Sequence, residues 1–251
     1  MLKEERQRLI LDKLSTDRKI SFVELGQFLN VSYDSIRRDI IELEDKGLLK
    51  KVHGGAVANS YLSILGNKQN GSSNKNEELS IIYKKAQRLF DSKQIIIMDG
   101  GTTNFFLAEQ LPRTLEATII TNSPPLAMAL NDHPKLEVIL LGGTYYKRYQ
   151  ITLGNEVSRA LEHINADIYF MGVNGVHPDK GLTIRHYEES IIKQNMMKAA
   201  KKTVCCAIEE KLGVQESYKV CHFTQIDIML THLKPTDAKL THYQKLGVDI
   251  W

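Results

Sequence analysis

Two groups of residues in this sequence are suited to binding anions. The first is a pair of adjacent arginines, Arg37 and Arg38, whose guanidinium groups can contact phosphate oxygens or guanine edges. The second is a set of short turns rich in glycine and hydroxyl side chains, such as residues 100–103, each of which follows an apolar run. Glycines let an anion approach backbone N–H groups, and the start of a following helix favours negative charge.

Helical patterns fill the sequence around the arginine pair. A first helix is predicted from about residue 3 to residue 15. Ser21 and Glu24 have the spacing of a capping box, so we expect a short second helix that ends at Asn30. Ser32 is a good N-cap for a third helix, which carries the arginines.

The third helix has one apolar face, because Ile36, Ile40 and Leu43 repeat at helical spacing. The two arginines lie mostly off this face. Residues 48–57 then predict two short strands around a tight turn. This order of elements is typical of a winged helix-turn-helix, whose third helix presents its polar face to the major groove of DNA.

Candidate DNA contacts come from the start of the third helix, from its polar face and from the hairpin. They are Ser32, Tyr33, Ser35, Arg37, Arg38, Lys50, Lys51 and His53. Residues 1–57 contain 11 Lys and Arg and 10 Asp and Glu, a net charge of +1. Positive charge must therefore be concentrated on one face, and Glu42, Glu44 and Asp45 must point away from DNA. From the pattern alone, a packing or dimerisation module remains the alternative.

The rest of the chain has a different pattern. Residues 67–76 contain no apolar residue and have the composition of a linker. The residues that follow alternate apolar strands with helices, which predicts a parallel sheet covered on both faces. Ligands bind such sheets beyond the carboxyl ends of the strands.

The glycine-rich turns lie at these predicted strand ends, where Lys193 and Lys211 could add positive charge. The candidate ligand contacts are Asp99, Gly100, Gly101, Thr102, Thr103, Thr121, Asn122, Ser123, Gly142, Gly143, Asn174, Glu189, Lys193 and Lys211. The Gly-x-Gly-x-x-Gly pattern of dinucleotide sites is absent. No metal-ligand cluster and no Ser/His/Asp order stands out, so we expect no metal, no cofactor and no catalytic residue.

Composition excludes several classes of protein. The chain has 251 residues and a formal net charge of +3, with 42% hydrophobic and 25% charged residues. These values exclude disorder, collagen-like repeats and a disulfide scaffold. The N-terminus is too charged for a signal peptide, and no apolar run is long enough to span a bilayer. The odd set of Cys205, Cys206 and Cys221 indicates a reducing compartment, so we expect a cytoplasmic protein without membrane contact.

The sequences of two segments resemble those of a known protein family. Residues 31–49, followed by 52–56, closely resemble the DNA-binding signature of the DeoR family of bacterial transcriptional regulators. The arginine pair before Asp39 and the sequence His53-Gly54-Gly55 are its most specific elements. The second part resembles the DeoR-type effector domain, which is similar in fold to ribose-phosphate isomerase.

The resemblance covers essentially the whole chain and implies its organisation. It implies an α/β protein with a winged helix-turn-helix DNA-binding domain in residues 1–58 and a linker in residues 59–76. Residues 77–251 would form a larger Rossmann-like α/β domain for effector sensing and oligomerisation. The function implied is a repressor of a carbohydrate catabolic operon, a homodimer or homotetramer that binds operator DNA under the control of a phosphorylated sugar.

Some positions depart from the family pattern. They are Leu79 for a usual Lys, Gly100 for Ser, Tyr146 for Arg, Asn174 for Asp, Gln194 for Arg and Ile208 for Asp. These departures leave open a different metabolite, or a phosphosugar held by fewer polar contacts.

The alternative function is a sugar-phosphate isomerase-like enzyme with an accessory helical domain. Isomerisation needs a carboxylate base. Related isomerases have acidic residues in the loop where this chain has Asn174, which cannot take a proton. Glu188 and Glu189 remain possible bases, although we expect them to lie on a helix surface or to bind effector hydroxyls.

Overall fold

The computed structural model describes residues 3–17, 19–45, 48–58 and 74–251. The chain divides into two units, Met1–Gly71 and Ser72–Trp251. Most of the predicted linker, residues 59–73, lies outside the described residues. The first helix of the second unit begins at Asn74, so residues 74–76 are helical rather than part of a linker.

Nine helices are described, in addition to four short 3₁₀ turns. They are α1 Lys3–Asp17, α2 Phe22–Leu29, α3 Tyr33–Asp45, α4 Asn74–Ala86, α5 Thr102–Glu109, α6 Pro124–Ala129, α7 Asn155–Glu162, α8 Tyr187–Lys198 and α9 Thr241–Gln244. The described strands are β1 Lys19–Ser21, β2 Leu49–Val52, β3 Gly55–Ala58, β4 Ile95–Met98, β5 Ala117–Thr121, β6 Leu136–Leu140, β7 Thr144–Tyr146, β8 Ile151–Leu153, β9 Ile168–Met171, β10 Gly175–His177, β11 Gly181–Ile184, β12 Thr203–Cys206, β13 Tyr218–Cys221, β14 Ile228–Leu230 and β15 Asp249–Ile250.

The first unit is the predicted winged helix-turn-helix. The capping box of Ser21 and Glu24 is formed at the start of α2, and Asn30 ends that helix in the left-handed conformation with φ 52°. The apolar face of α3 is buried against α1 and α2 in one cluster. The three-stranded antiparallel sheet has the order β1-β3-β2.

Strand β1 is the element that the sequence did not predict in this unit, since it is only three residues long. It pairs with β3 so closely that a Cβ atom on Gly55 would lie 2.4 Å from the carbonyl oxygen of Ile20. Glycine is therefore required at this position, because any side chain would push the two strands apart.

An ion pair between the partly buried Arg6 and the buried Asp39 joins α1 to α3. The guanidinium of Arg6 donates from Nε to Asp39 Oδ2 at 2.5 Å and from Nη2 to Asp39 Oδ1 at 3.1 Å. The Asp39 side chain is only 2% exposed. This hydrogen bonding to Asp39 raises the pKa of Arg6, so the guanidinium is charged at neutral pH.

The second unit is built on the predicted parallel sheet. Its seven strands have the order β15-β14-β12-β9-β4-β5-β6, and every neighbouring pair is parallel. One apolar cluster covers each face, with α7 and α8 on one side and α4, α5 and α6 on the other. Cys205 lies in the first cluster and Cys206 in the second, because successive strand residues point to opposite faces.

Several short elements of this unit were not predicted. They are α7, the antiparallel hairpin of β7 and β8, and a three-stranded antiparallel sheet of β10, β11 and β13. Their strands are three or four residues long, which is too short for a clear alternation of apolar and polar residues.

No helix among the described residues is long and apolar enough to cross a membrane. Nor do these residues contain a His, Cys, Asp and Glu group of three that could hold a metal ion.

We expect Asp39→Asn to lower the free energy of opening of α1 and α3 by about 2 kcal/mol, because the Arg6 guanidinium would lose its buried carboxylate partner. Hydrogen exchange measured by mass spectrometry on peptides from the two helices would report it. Asp45→Asn, on the exposed side of the same helix, is the matched control and should leave exchange unchanged. Equal exchange in the two variants would contradict this role of the ion pair.

Candidate functional site

The polar side of α3 is open to solvent at the predicted positions. Ser32, Tyr33, Arg37 and Arg38 are exposed, and Ser35 is partly buried. Arg38 Nε donates to the carbonyl oxygen of its own helix four residues earlier, at 3.3 Å. In the described part of the chain, no hydrogen bond or ion pair occupies the Arg37 guanidinium. Both cations are therefore available to a polyanion.

Two of the three acidic residues late on α3 are held by other elements. Glu42 pairs with Lys3 of α1 at 2.6 Å, and its other oxygen accepts from Gln7 at 3.0 Å. Glu44 accepts from the backbone N–H of Lys51 on β2 at 2.9 Å. These carboxylates bind α1 and the hairpin, so they do not pair with the two arginines of the same helix.

The hairpin supplies the other predicted contacts. His53 is exposed at the turn, where Gly54 has a φ of 75°. Lys51 is partly buried. The side chain of Lys50 lies outside the described part of the structure.

The predicted strand-end residues of the second unit are organised around the carboxylate of Asp99. It lies at the carboxyl end of β4, an interior strand of the seven-stranded sheet, and is 1% exposed. Its Oδ2 accepts from the Tyr169 hydroxyl and from Lys193 Nζ, both at 2.5 Å. Its Oδ1 accepts from Asn104 Nδ2 at 2.8 Å and from the Gly172 N–H at 2.9 Å. Asp99 thus joins β4, β9, α5 and α8 at one point.

The Lys193 ammonium is buried between two carboxylates. Besides Asp99, it contacts Glu189 Oε1 at 3.3 Å, one helical turn away on α8. Burial by itself would lower the pKa of Lys193, but the charges of Asp99 and Glu189 outweigh it, so the pKa is raised. Burial and the neighbouring Asp99 charge raise the pKa of Tyr169 well above its usual value. In this cluster Lys193 is therefore charged and Tyr169 is a neutral phenol.

The Thr-Asn-Ser turn after β5 holds the sheet edge together. Asn122 Oδ1 accepts from the Gly100 N–H at 3.3 Å, and Asn122 Nδ2 donates to the Thr152 carbonyl at 2.9 Å. Thr121 Oγ1 accepts from the Ser123 N–H at 3.1 Å, and Ser123 caps α6. All three predicted residues are buried, and these hydrogen bonds give them a structural role.

The turn before α5 is the open part of the edge. Gly101 has a φ of 131°, is exposed, and has no atom within 4 Å of where a Cβ would lie. No side chain caps the first N–H groups of α5, which begins with the partly buried Thr102 and the buried Thr103. Gly142 has equally open surroundings. Backbone donors at such a helix start can bind an anion.

Lys211 is the second predicted cation, and it interacts electrostatically with Asp99 and Lys193. Burial lowers its pKa. Lys211 has no ion-pair partner in the described part of the chain, and it lies within electrostatic range of Asp99 at the end of β4.

Two predicted glycines and one asparagine have other surroundings. A Cβ on Gly100 would lie 2.2 Å from Cγ2 of Ile151, and one on Gly143 would lie 2.6 Å from the Leu153 carbonyl oxygen, so both positions are filled by β8. Asn174 is exposed, and its N–H donates to the Thr183 carbonyl at 3.1 Å. No described side-chain hydrogen bond links Asn174 to the Asp99 cluster.

Sequence reasoning missed Tyr169 and Asn104, which are both completely buried partners of Asp99. Tyr169 lies within a strand and resembles an ordinary core residue in the sequence. Asn104 directly follows the turn of residues 100–103. An asparagine among apolar neighbours on a predicted helix was the only signal that the sequence offered.

The comparisons with known proteins cover both units. Residues 74–232 match the family model of the DeoR C terminal sensor domain, and residues 6–61 match that of the DeoR-like helix-turn-helix domain. The HTH-type transcriptional regulator GolR of Listeria innocua is 32% identical over 246 residues, 98% of this chain and 97% of that protein. The HTH-type transcriptional repressor GlcR of Bacillus subtilis is 30% identical over 250 residues, 100% of this chain and 96% of that protein.

Among solved structures, ribose 5-phosphate isomerase A from Methanocaldococcus jannaschii resembles this chain with a TM-score of 0.38 and 19% identity. The alignment covers 54% of each chain. A TM-score this low carries no argument about activity.

We expect Asp99→Asn to lower the free energy of unfolding of the second unit by about 3 kcal/mol, because the buried Lys193 would lose one of its two compensating charges. Urea unfolding followed by the fluorescence of Trp251 would measure it. The control is Asp179→Asn, an exposed carboxylate, which should stay within about 0.5 kcal/mol of the parent. Equal stability of the two variants would contradict the organising role of Asp99.

Proposed function

The chain belongs to the DeoR family of transcriptional regulators, and we propose from this premise that it represses a carbohydrate catabolic operon under the control of a phosphorylated sugar. The family gives it a helix-turn-helix domain and a sensor domain. We propose that residues 1–58 bind operator DNA, that residues 59–73 link the two domains, and that residues 74–251 sense the effector and oligomerise.

The DNA-binding part of the proposal rests on the two exposed arginines of α3. Arg37 and Arg38 project from a helix whose opposite face is buried, while Glu42 and Glu44 are bound elsewhere. In a winged helix-turn-helix, this geometry suits entry of α3 into the major groove, with the hairpin beside the backbone. A homodimer or homotetramer would present two such helices to paired half-sites. We further propose that it acts in the cytoplasm, where operator DNA is found.

One observation carries the effector part. The uncapped start of α5 at Gly101 is open, and Lys211, which has no ion pair among the described residues, lies within electrostatic range of Asp99 at the same strand end. Free N–H groups, the helix dipole and a lysine without an ion-pair partner together suit a phosphate group. Thr102 and Thr103 could add hydroxyl donors. Binding would shift the chain towards a form with lower operator affinity.

We propose a sensor rather than an isomerase. Isomerisation needs a carboxylate free to accept a proton. Asp99 is saturated by four donors, Glu189 pairs with Lys193, Glu188 accepts from the Tyr146 hydroxyl, and position 174 is an amide. Turnover of ribose 5-phosphate by the purified chain would contradict this part of the proposal.

We expect Arg37→Ala and Arg38→Ala each to weaken binding to the DNA upstream of the chain's own gene by about 5- to 100-fold, the range for the loss of one base or phosphate contact. A gel-shift titration at fixed salt measures the affinity. Arg8→Ala is the matched control: it removes the same charge from an exposed position of α1 in the same unit. Unchanged operator affinity in both α3 variants would remove the recognition-helix assignment.

We expect Lys211→Met and Thr103→Val to impair the response to the effector rather than the binding of operator DNA. Operator binding should persist, but release by a phosphorylated sugar should need about tenfold more ligand, because a charged or hydroxyl donor to the phosphate is lost. A thermal-shift screen of sugar phosphates first identifies the ligand, and gel shifts with increasing ligand then measure the response. Lys245→Met, at an exposed lysine, is the control and should respond like the parent chain.

A further inference from the structure

The hairpin of β7 and β8 carries a polar group beside the open turn. Tyr146 and Ile151 are direct cross-strand partners in this hairpin, so their side chains project from the same face. Ile151 reaches Gly100, where it fills the space that a side chain would need. Tyr146 is therefore directed to the side of the hairpin that covers the strand end after β4.

Tyr146 bridges the hairpin to the start of α8. Its hydroxyl donates a hydrogen bond to Glu188 Oε2, and this bond raises the pKa of Tyr146. Its ring lies edge-on to the ring of His186 with centroids 5.2 Å apart, and Tyr149 lies on the same imidazole at 5.6 Å. Glu188 directly precedes Glu189, the residue that pairs with Lys193.

The group has unused hydrogen-bonding capacity. His186 Nδ1 is buried without a hydrogen-bond partner. Glu188 is exposed, and Tyr146 is its only described hydrogen-bond partner. Buried polar atoms in folded proteins are nearly always hydrogen-bonded. The unpaired ring nitrogen of His186 therefore indicates a hydrogen-bond partner that the described residues do not supply.

We propose that Tyr146, His186 and Glu188 bind the hydroxyl groups of a monophosphorylated sugar whose phosphate lies at the start of α5. This inference rests on the proposed function and names the other end of the same site. A carboxylate and an unpaired imidazole nitrogen bind sugar hydroxyls, since a hydroxyl both donates and accepts. The group contains a carboxyl side chain and neither lysine nor arginine, so it disfavours a second phosphate.

Arg185 directly precedes His186 and pairs with Glu216 at 2.8 Å, and two further cations lie in the turn of the hairpin. Lys147 and Arg148 are exposed there, and the Arg148 guanidinium lies 5.7 Å from the centroid of the Tyr149 ring. They lie outside the group of Tyr146, His186 and Glu188. A sugar bisphosphate that binds more tightly than every monophosphate would show that they take a second phosphate, and it would overturn the proposal.

The test compares two probes on the full-length chain. Titration calorimetry would measure binding of inorganic phosphate and of a panel of glycerol, pentose and hexose monophosphates. For Glu188→Gln and Tyr146→Phe, we expect the dissociation constant of the tightest sugar monophosphate to rise about tenfold or more, because a charge-assisted hydrogen bond is lost. That of inorganic phosphate should change less than twofold. Lys211→Met should weaken both ligands.

Glu162→Gln and Tyr145→Phe make the same chemical changes at exposed positions and should leave both constants unchanged. Equal weakening of phosphate and sugar phosphate by Glu188→Gln would indicate a structural role and overturn the inference. Unchanged sugar-phosphate affinity in both test variants would also overturn it. If the parent chain binds neither phosphate nor any monophosphate, the proposed effector site itself is wrong, and this result is distinct from the other two.

Discussion

The buried carboxylate of Asp99 is the group on which the binding edge of the second unit depends. A carboxylate with 1% exposure is costly unless donors satisfy it, and here four donors from four positions do so. Those donors fix the end of β4 to β9, to α5 and to α8. The strand end, the helix that begins beside it and the helix that carries Glu189 and Lys193 are therefore held in one arrangement.

This constraint divides the candidate residues into two kinds. Asp99, Asn122 and Thr121 have used their hydrogen bonds within the protein, and they shape the edge rather than remain free for a ligand. The start of α5, Lys211 and the group of Tyr146, His186 and Glu188 keep unused donors and acceptors. A ligand pairs best with groups that are positioned but not satisfied, so the second kind is the better guide to the chemistry of binding.

The first unit uses the same physical device on a smaller scale. Asp39 is buried on the inner face of α3, and the bidentate contact with Arg6 compensates its charge. Glu42 and Glu44 are bound by α1 and by the hairpin backbone. Three acidic side chains of α3 are therefore engaged within the domain, while Arg37 and Arg38 stay exposed.

The sequence by itself determined the order of the main elements. Capping residues and apolar repeats located α2, α3 and the long parallel strands, since these signals act over a few neighbouring residues. It also located the glycine turns at strand ends and identified Lys193 as a cation that could act there. Only the tertiary structure decided that Tyr169 and Asn104 complete the Asp99 cluster, that Arg6 pairs with Asp39, and that Tyr146 of the hairpin meets Glu188 of α8. These contacts join residues 5 to 70 positions apart, and the hydrogen bonds that buried polar groups require are satisfied by whichever donors packing brings near.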